Sequence, residues 1–132
     1  MKNSAILLIT CPDRKGLVAT ISDFIFRHNG NIIHADEHGD AGSGLFLMRV
    51  EFDPSEFDIK FSEFSKYFSP IAEKYAMNWR LAQSSQRPRM AILVSKYDHC
   101  LVDLLYRHHA GELACDIPLI ISNHREAKRH AE

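Results

Sequence analysis

The 132 residues suit one domain, or one small domain with part of another. With 45% hydrophobic and 25% charged residues the composition is that of an ordinary globular chain, and a net charge of −1 gives no electrostatic basis for binding nucleic acid or an anionic membrane. No apolar run approaches the roughly 20 residues of a membrane span, and the start, MKNSAILLIT, carries no convincing signal-peptide cleavage site. Cys11, Cys100 and Cys115 form no CxxC pair, and their odd number favours free thiols in a reducing cytoplasm over a disulfide framework.

Ala5 to Thr10 is an apolar run of the length of a buried central strand. Asp13 is the expected N-cap of a helix that carries Leu17, Ile21, Phe24, Ile25 and His28 on one stripe. Asn29-Gly30-Asn31 ends it, because Gly and Asn tolerate a left-handed cap. Ile32 to Glu37 is a second strand, and GDAGSG, from Gly39 to Gly44, is a turn-rich loop. Phe46, Met48, Val50 and Phe52 then alternate with Leu47, Arg49 and Glu51, the mark of a half-buried strand. After Pro54, residues Phe57, Phe61, Phe64, Phe68, Ile71 and Tyr75 recur at the spacing of a second amphipathic helix, so this stripe is core. Met77, Trp79 and Leu81 alternate as a fourth strand.

The order βαββαβ points to a split pair of βαβ units: one antiparallel sheet with both helices on one face, ending near Ala82. The other face is then left open, with Leu7 or Leu8, Leu47 and Leu81 expected on it, and such a face invites self-association. Gln83 to Pro88 is a polar linker. A new pattern follows: an apolar strand from Arg89 to Ser95, a helix from Asp98 to His109 with Leu101, Leu104, Leu105 and His108 on one side, a strand from Ile117 to Ser122, and a polar helix in NHREAKRHAE. This is βαβ plus part of a helix. Two parallel strands need cover on both faces, so residues 89–132 read as the incomplete beginning of a doubly wound domain.

The stretch CPDRKGLVATI admits two readings. Asp13 and Gly16 are a cap with a packing glycine, or they open the backbone N–H groups of Gly16, Leu17 and Val18 to a ligand carboxylate at the positive end of the helix. In the second reading Asp13 or an amide from Asn31 holds an ammonium, a residue set that matches a free amino acid. HADEH, from His34 to His38, matches H-x-x-E-H, but that zinc pattern needs a helix to bring its histidines within about 6 Å. On a strand they stand about 13 Å apart, so no metal site is expected there or among His99, Cys100, His108 and His109. His108 reads as a core-edge residue and Cys11 as a buried small one.

Cys11-Pro12-Asp13-Arg14-Lys15-Gly16-Leu17-Val18, with the Gly30-Asn31-Ile32 entry to strand two, resembles the ACT domain, a regulatory amino-acid-binding module. That family more often has Pro where this chain has Lys15. The tandem of this module with FLMRVEF (Phe46 to Phe52), RMAILVSKYDHCLVDLLYRHHAGEL (Arg89 to Leu113) and LIISNH (Leu119 to His124) resembles the bacterial formyltetrahydrofolate deformylases. The resemblance implies an α+β fold: a ferredoxin-like ACT domain over residues 1–82, a linker over 83–88, and the start of a doubly wound formyltransferase-like catalytic domain over 89–132. It implies a cytoplasmic hydrolase of one-carbon and purine metabolism, with 10-formyltetrahydrofolate as substrate and no cofactor. An amino-acid effector would bind at Asp13, Gly16, Leu17, Val18 and Asn31, and the protein would be a homo-oligomer with neither nucleic acid nor membrane as partner. The family's catalytic Asn, His and Asp surround an H-x-S-x-L-P motif that this sequence lacks, so they are expected beyond residue 132, and Asn123 and His124 are not that pair. The related glycinamide ribonucleotide formyltransferases hold a substrate phosphate on a Gly-rich loop after their first strand. Ser95 to Cys100 stands there without a glycine and with Asp98, which favours water as the acceptor. The alternative is a free-standing amino-acid-binding ACT module without catalysis.

Overall fold

The computed structural model describes residues 3–131. They divide into two compact units, one ending at Ser85 and one starting at Gln86. In the first, strand β1 (Ala5–Pro12), helix α1 (Leu17–Arg27), strands β2 (Asn31–Asp40) and β3 (Leu45–Asp53), helix α2 (Phe64–Lys74) and strand β4 (Asn78–Gln83) follow one another. The sheet order is β2-β3-β1-β4, antiparallel throughout. This is the expected βαββαβ arrangement, with β4 running on to Gln83, a residue assigned to the linker from the sequence.

Alternation decides which face is core. Ala5, Leu7, Ile9 and Cys11 of β1 and Phe46, Met48, Val50 and Phe52 of β3 are buried against Leu17, Ile21, Phe24 and Ile25 of α1 and Phe64, Phe68 and Ala72 of α2. Both helices therefore cover one face. The opposite face carries Leu8 and Leu47, as expected, but Leu81 pairs with Leu7 and packs on the core side, one residue out of the phase assumed for it. In β2 the register shifts between Ile32 and His34, after which His34, Asp36 and His38 stand opposite Glu51, Arg49 and Leu47 on the open face. A bulge of this kind re-aims the following side chains.

Two helix starts differ from expectation. Gly16, not Asp13, occupies the N-cap of α1, with φ 87° and ψ 5° and no side-chain cap bond. Helix α2 begins at Phe64, after a 3₁₀ turn over Phe61–Glu63, and not near Phe57. The backbone of the preceding loop is taken by tertiary bonds: Asp58 N–H donates to the His28 carbonyl at 2.9 Å, and Asn29 Nδ2 donates to the Glu56 carbonyl at 3.1 Å. Phe57 still packs on the core, 4.9 Å from Phe52 between ring centroids. At the end of α1 the left-handed residue is Asn29, with φ 64°, while Gly30 is required for space: a Cβ there would lie 2.7 Å from Ile25 Cγ2.

The second unit holds strand β5 (Arg89–Val94), helix α3 (His99–His109), strand β6 (Asp116–Ser122), a 3₁₀ turn (Arg125–Ala127) and the short helix α4 (Lys128–Ala131). The polar helix expected from Asn123 thus starts late, and its last residue, Glu132, lies outside the described residues. β5 and β6 pair in parallel, and Ile92, Leu101 and Ala127 form the small core. Leu93, Leu119 and Ile121, on the other face, are 75%, 51% and 48% exposed, and no element among the described residues of this unit covers them.

Candidate functional site at the start of helix α1

The first turn of a helix has N–H groups with no intrahelical partner. In α1 the first ladder bond runs from Thr20 N–H to the Gly16 carbonyl, at 2.9 Å, so the N–H groups of Leu17, Val18 and Ala19 precede the ladder. Thr20 Oγ1 also donates to the Gly16 carbonyl, at 2.7 Å. A Cβ built on Gly16 would meet nothing within 4 Å, so open space lies beside this turn. The residue is a glycine because its φ is left-handed, which costs an L-residue roughly 1–2 kcal/mol. It is not inside the first helical turn, as expected, but one position before it.

Asp13 is exposed and caps nothing. Its N–H donates to the Gly44 carbonyl at 2.9 Å, which ties the β1–α1 loop to the β2–β3 hairpin. Its Oδ2 sits 3.4 Å from where a Gly39 Cβ would stand. The hairpin is itself organised by Asp40, which accepts from the N–H groups of Gly42 and Ser43 and from the Ser43 hydroxyl. Those bonds, the hydroxyl's first, hold its carboxyl below the usual range. Leu17 can offer only its backbone, since its side chain is core, whereas Val18 is 41% exposed.

The structure adds a wall that the sequence did not announce. The Arg14 guanidinium lies 4.7 Å above the Tyr75 ring, and the Tyr75 hydroxyl is 3.5 Å from Thr20 Oγ1. Tyr75 is the last member of the aromatic stripe of α2, so its spacing marked it as core, and only the fold brings it to α1.

Asn31 does not join this group within one chain. It opens β2 opposite Asp53, beside the C-terminal end of α1, and an 11-residue helix puts its two ends about 16 Å apart. Cys11 is buried, and its thiol is pushed up by burial and then by the Asp13 charge, the reverse of an activated nucleophile. His34 and His38 lie on strand β2, where they cannot share a metal, and His34 Nε2 is 2.8 Å from Asp36 Oδ2. Among the described residues no three His, Cys, Asp or Glu side chains are grouped to hold a metal ion.

In the second unit Asp98 is the N-cap residue of α3, but its carboxylate turns to α4, accepting from His130 Nε2 at 2.7 Å and Arg129 at 3.0 Å. These bonds, that of His130 first, hold its carboxyl below the usual range. Its repulsion of a phosphate is therefore offset, and only the missing glycine still argues against an anion loop. His108 Nε2 donates to the Cys115 carbonyl at 2.8 Å, a core-edge role. Asn123 and His124 form a tight turn in which the His124 N–H donates to Ser122 Oγ.

Residues 5–59 match the ACT domain model. A formyltetrahydrofolate deformylase of Synechocystis is 50% identical over 129 residues, 98% of this chain and 45% of that protein. The chain is homologous to the formyltetrahydrofolate deformylases. The deformylase of Bacillus subtilis is 40% identical over 96% of this chain and 42% of its own length. The crystal structure of a deformylase from Pseudomonas syringae pv. tomato superposes with a TM-score of 0.82 at 42% identity, over 98% of this chain and 44% of that one. The chain thus spans less than half the length of the deformylases it matches, and the match extends well past the ACT segment through the second unit.

Proposed function

We propose that these residues are the ACT domain and the beginning of the catalytic domain of a formyltetrahydrofolate deformylase. The intact enzyme would hydrolyse 10-formyltetrahydrofolate to tetrahydrofolate and formate in the cytoplasm, within one-carbon and purine metabolism. It would need no cofactor. The observation that carries the proposal is 50% identity over 98% of this chain, a span that takes in both units. A free-standing ACT module would not need the second unit, so that reading is disfavoured. No helix among the described residues is long and apolar enough to cross a membrane, which is compatible with the reading.

The first unit would be the sensor. The N–H groups at Gly16 to Val18 would take the carboxylate of a small amino acid, such as glycine or methionine, and Asp13 its ammonium. Arg14 on Tyr75 would bound the site. Asn31 could reach such a ligand only from a second copy, and the open sheet face offers a place for copies to meet. A shallow depression of about 300 Å³ lies there, lined by Leu8, Thr10, Asp36, His38, Leu47 and Arg49 among others.

Formate release from 10-formyltetrahydrofolate tests the enzymatic reading, measured for the 132-residue chain and for the product of the whole reading frame that encodes it. The chain alone is expected to stay at background, because the sequence holds no H-x-S-x-L-P motif. The whole product is expected to turn over. Turnover by the chain alone would refute the placement of the catalytic groups, and none by either would refute the deformylase reading.

A further inference from the structure

A second cavity lies in the first unit, at the end of the sheet away from the Gly16 turn. It holds about 260 Å³ and is lined by Phe52, Phe57, Phe61 and Phe64, with Lys60 and Gln83 as its longer polar side chains. Ala5, Phe52 and Gln83 stand in register on neighbouring strands at this end, while the Gly16 turn follows Pro12 at the other. Seven residues of strand put the two ends about 23 Å apart.

Three observations make this a formed site. Its walls are fixed: Phe57 sits 4.9 Å from Phe52 and 6.3 Å from Phe64 between ring centroids. The loop that carries Phe57 to Lys60 is held by the bond from Asp58 N–H to the His28 carbonyl and by the bond from Phe57 N–H to the Pro54 carbonyl, at 3.1 Å. Finally, the lining side chains are aromatic or apolar apart from Gln83 and Lys60, and Lys60 is the one charged residue among them. Ligand pockets combine an apolar lining with a few polar groups that set orientation, and drug-sized ones start at about 300 Å³. This one is smaller and suits a single ring or a branched aliphatic body.

We propose that this cavity binds a small organic carboxylate with an aromatic or branched apolar body, the body among the phenylalanines and the carboxylate at Lys60. The site is independent of the amino-acid site at Gly16. A carboxylate with no ammonium suits it, because no acidic side chain lines the cavity to receive one.

The probes are 3-phenylpropionate and its neutral amide, 3-phenylpropanamide, titrated into the 132-residue chain by calorimetry and by the fluorescence of its single tryptophan. Trp79 reports on the site because its ring lies 5.5 Å from that of Phe64. The acid is expected to bind at submillimolar to millimolar concentration, about tenfold more tightly than the amide, the factor of one charge-assisted contact. Lys60→Met should abolish that preference, Lys60→Arg should keep it, and Leu81→Phe, which fills the cavity, should weaken both ligands. Gly16→Asn should leave all of this unchanged. No binding of the acid at millimolar concentration would overturn the proposal, as would equal binding of acid and amide, or a Lys60→Met chain that keeps the preference. Loss of acid binding in Gly16→Asn would overturn the independence of the two sites.

Discussion

Ser4 is buried, and its hydroxyl donates to the carboxylate of Glu51, which Arg49 also approaches at 3.4 Å. The Ser4 bond, then the Arg49 charge, holds the Glu51 carboxyl below its usual value. A carboxyl depressed on folding stabilises the native state above its unfolded pKa, about 4.3 for Glu, and that contribution fades as pH falls through the folded value. Ser4→Ala should therefore lower the urea midpoint at pH 7, and its gap from the wild type should narrow on acidification below pH ~4. A gap that stays constant with pH would contradict the linkage. Inside a first helical turn Gly16 would give way to Val at only modest cost, since glycine is a poor helix former. With φ at 87° the same change should cost roughly 1–2 kcal/mol or more through left-handed strain, and Gly16→Asn distinctly less, as thermal unfolding will show. Asp13→Ala, which removes no cap bond, should be nearly neutral for stability in the same measurement.

Element boundaries were legible where pattern and local chemistry agree. The stripe of α1 and the alternation of β3 each bury the residues expected, because each segment has one apolar face at its own period. They were not legible where tertiary bonds decide. Phe57 and Phe61 keep the spacing of α2, yet the loop at Glu56 and Asp58 is bonded to the end of α1, and only a 3₁₀ turn forms before Phe64. The face of Leu81 is not legible either, because alternation gives a period and not a phase, and the phase is set by pairing with Leu7. The Tyr75–Arg14 wall was equally invisible, since it joins residues 61 positions apart. Within α2, exposed Pro70 interrupts the ladder. It lacks the N–H that would reach the Lys66 carbonyl, so Pro70→Ala should stabilise the chain by up to about 3 kcal/mol. An unchanged or lower urea midpoint would mean that the helix is shaped around the proline.

At the scale of the molecule, the first unit has a complete core while the second has one covered face. The open face of the first sheet mixes apolar residues, Leu8 and the 42% exposed Leu47, with Asp36 and Arg49, a composition that two copies could satisfy reciprocally. Leu47→Asp should convert an oligomer to a monomer in light scattering at micromolar concentration. A wild-type chain that is already monomeric would count against the association. One measurement addresses both the proposed amino-acid site of the first unit and the proposed hydrolase. Formate release from 10-formyltetrahydrofolate is followed for the product of the whole reading frame, with and without each of a panel of free amino acids, in the wild type and in Gly16→Asn. The expected result is turnover that one small amino acid alters in the wild type and leaves unaltered in the variant. Turnover indifferent to every amino acid, or an equal response in Gly16→Asn, would contradict it.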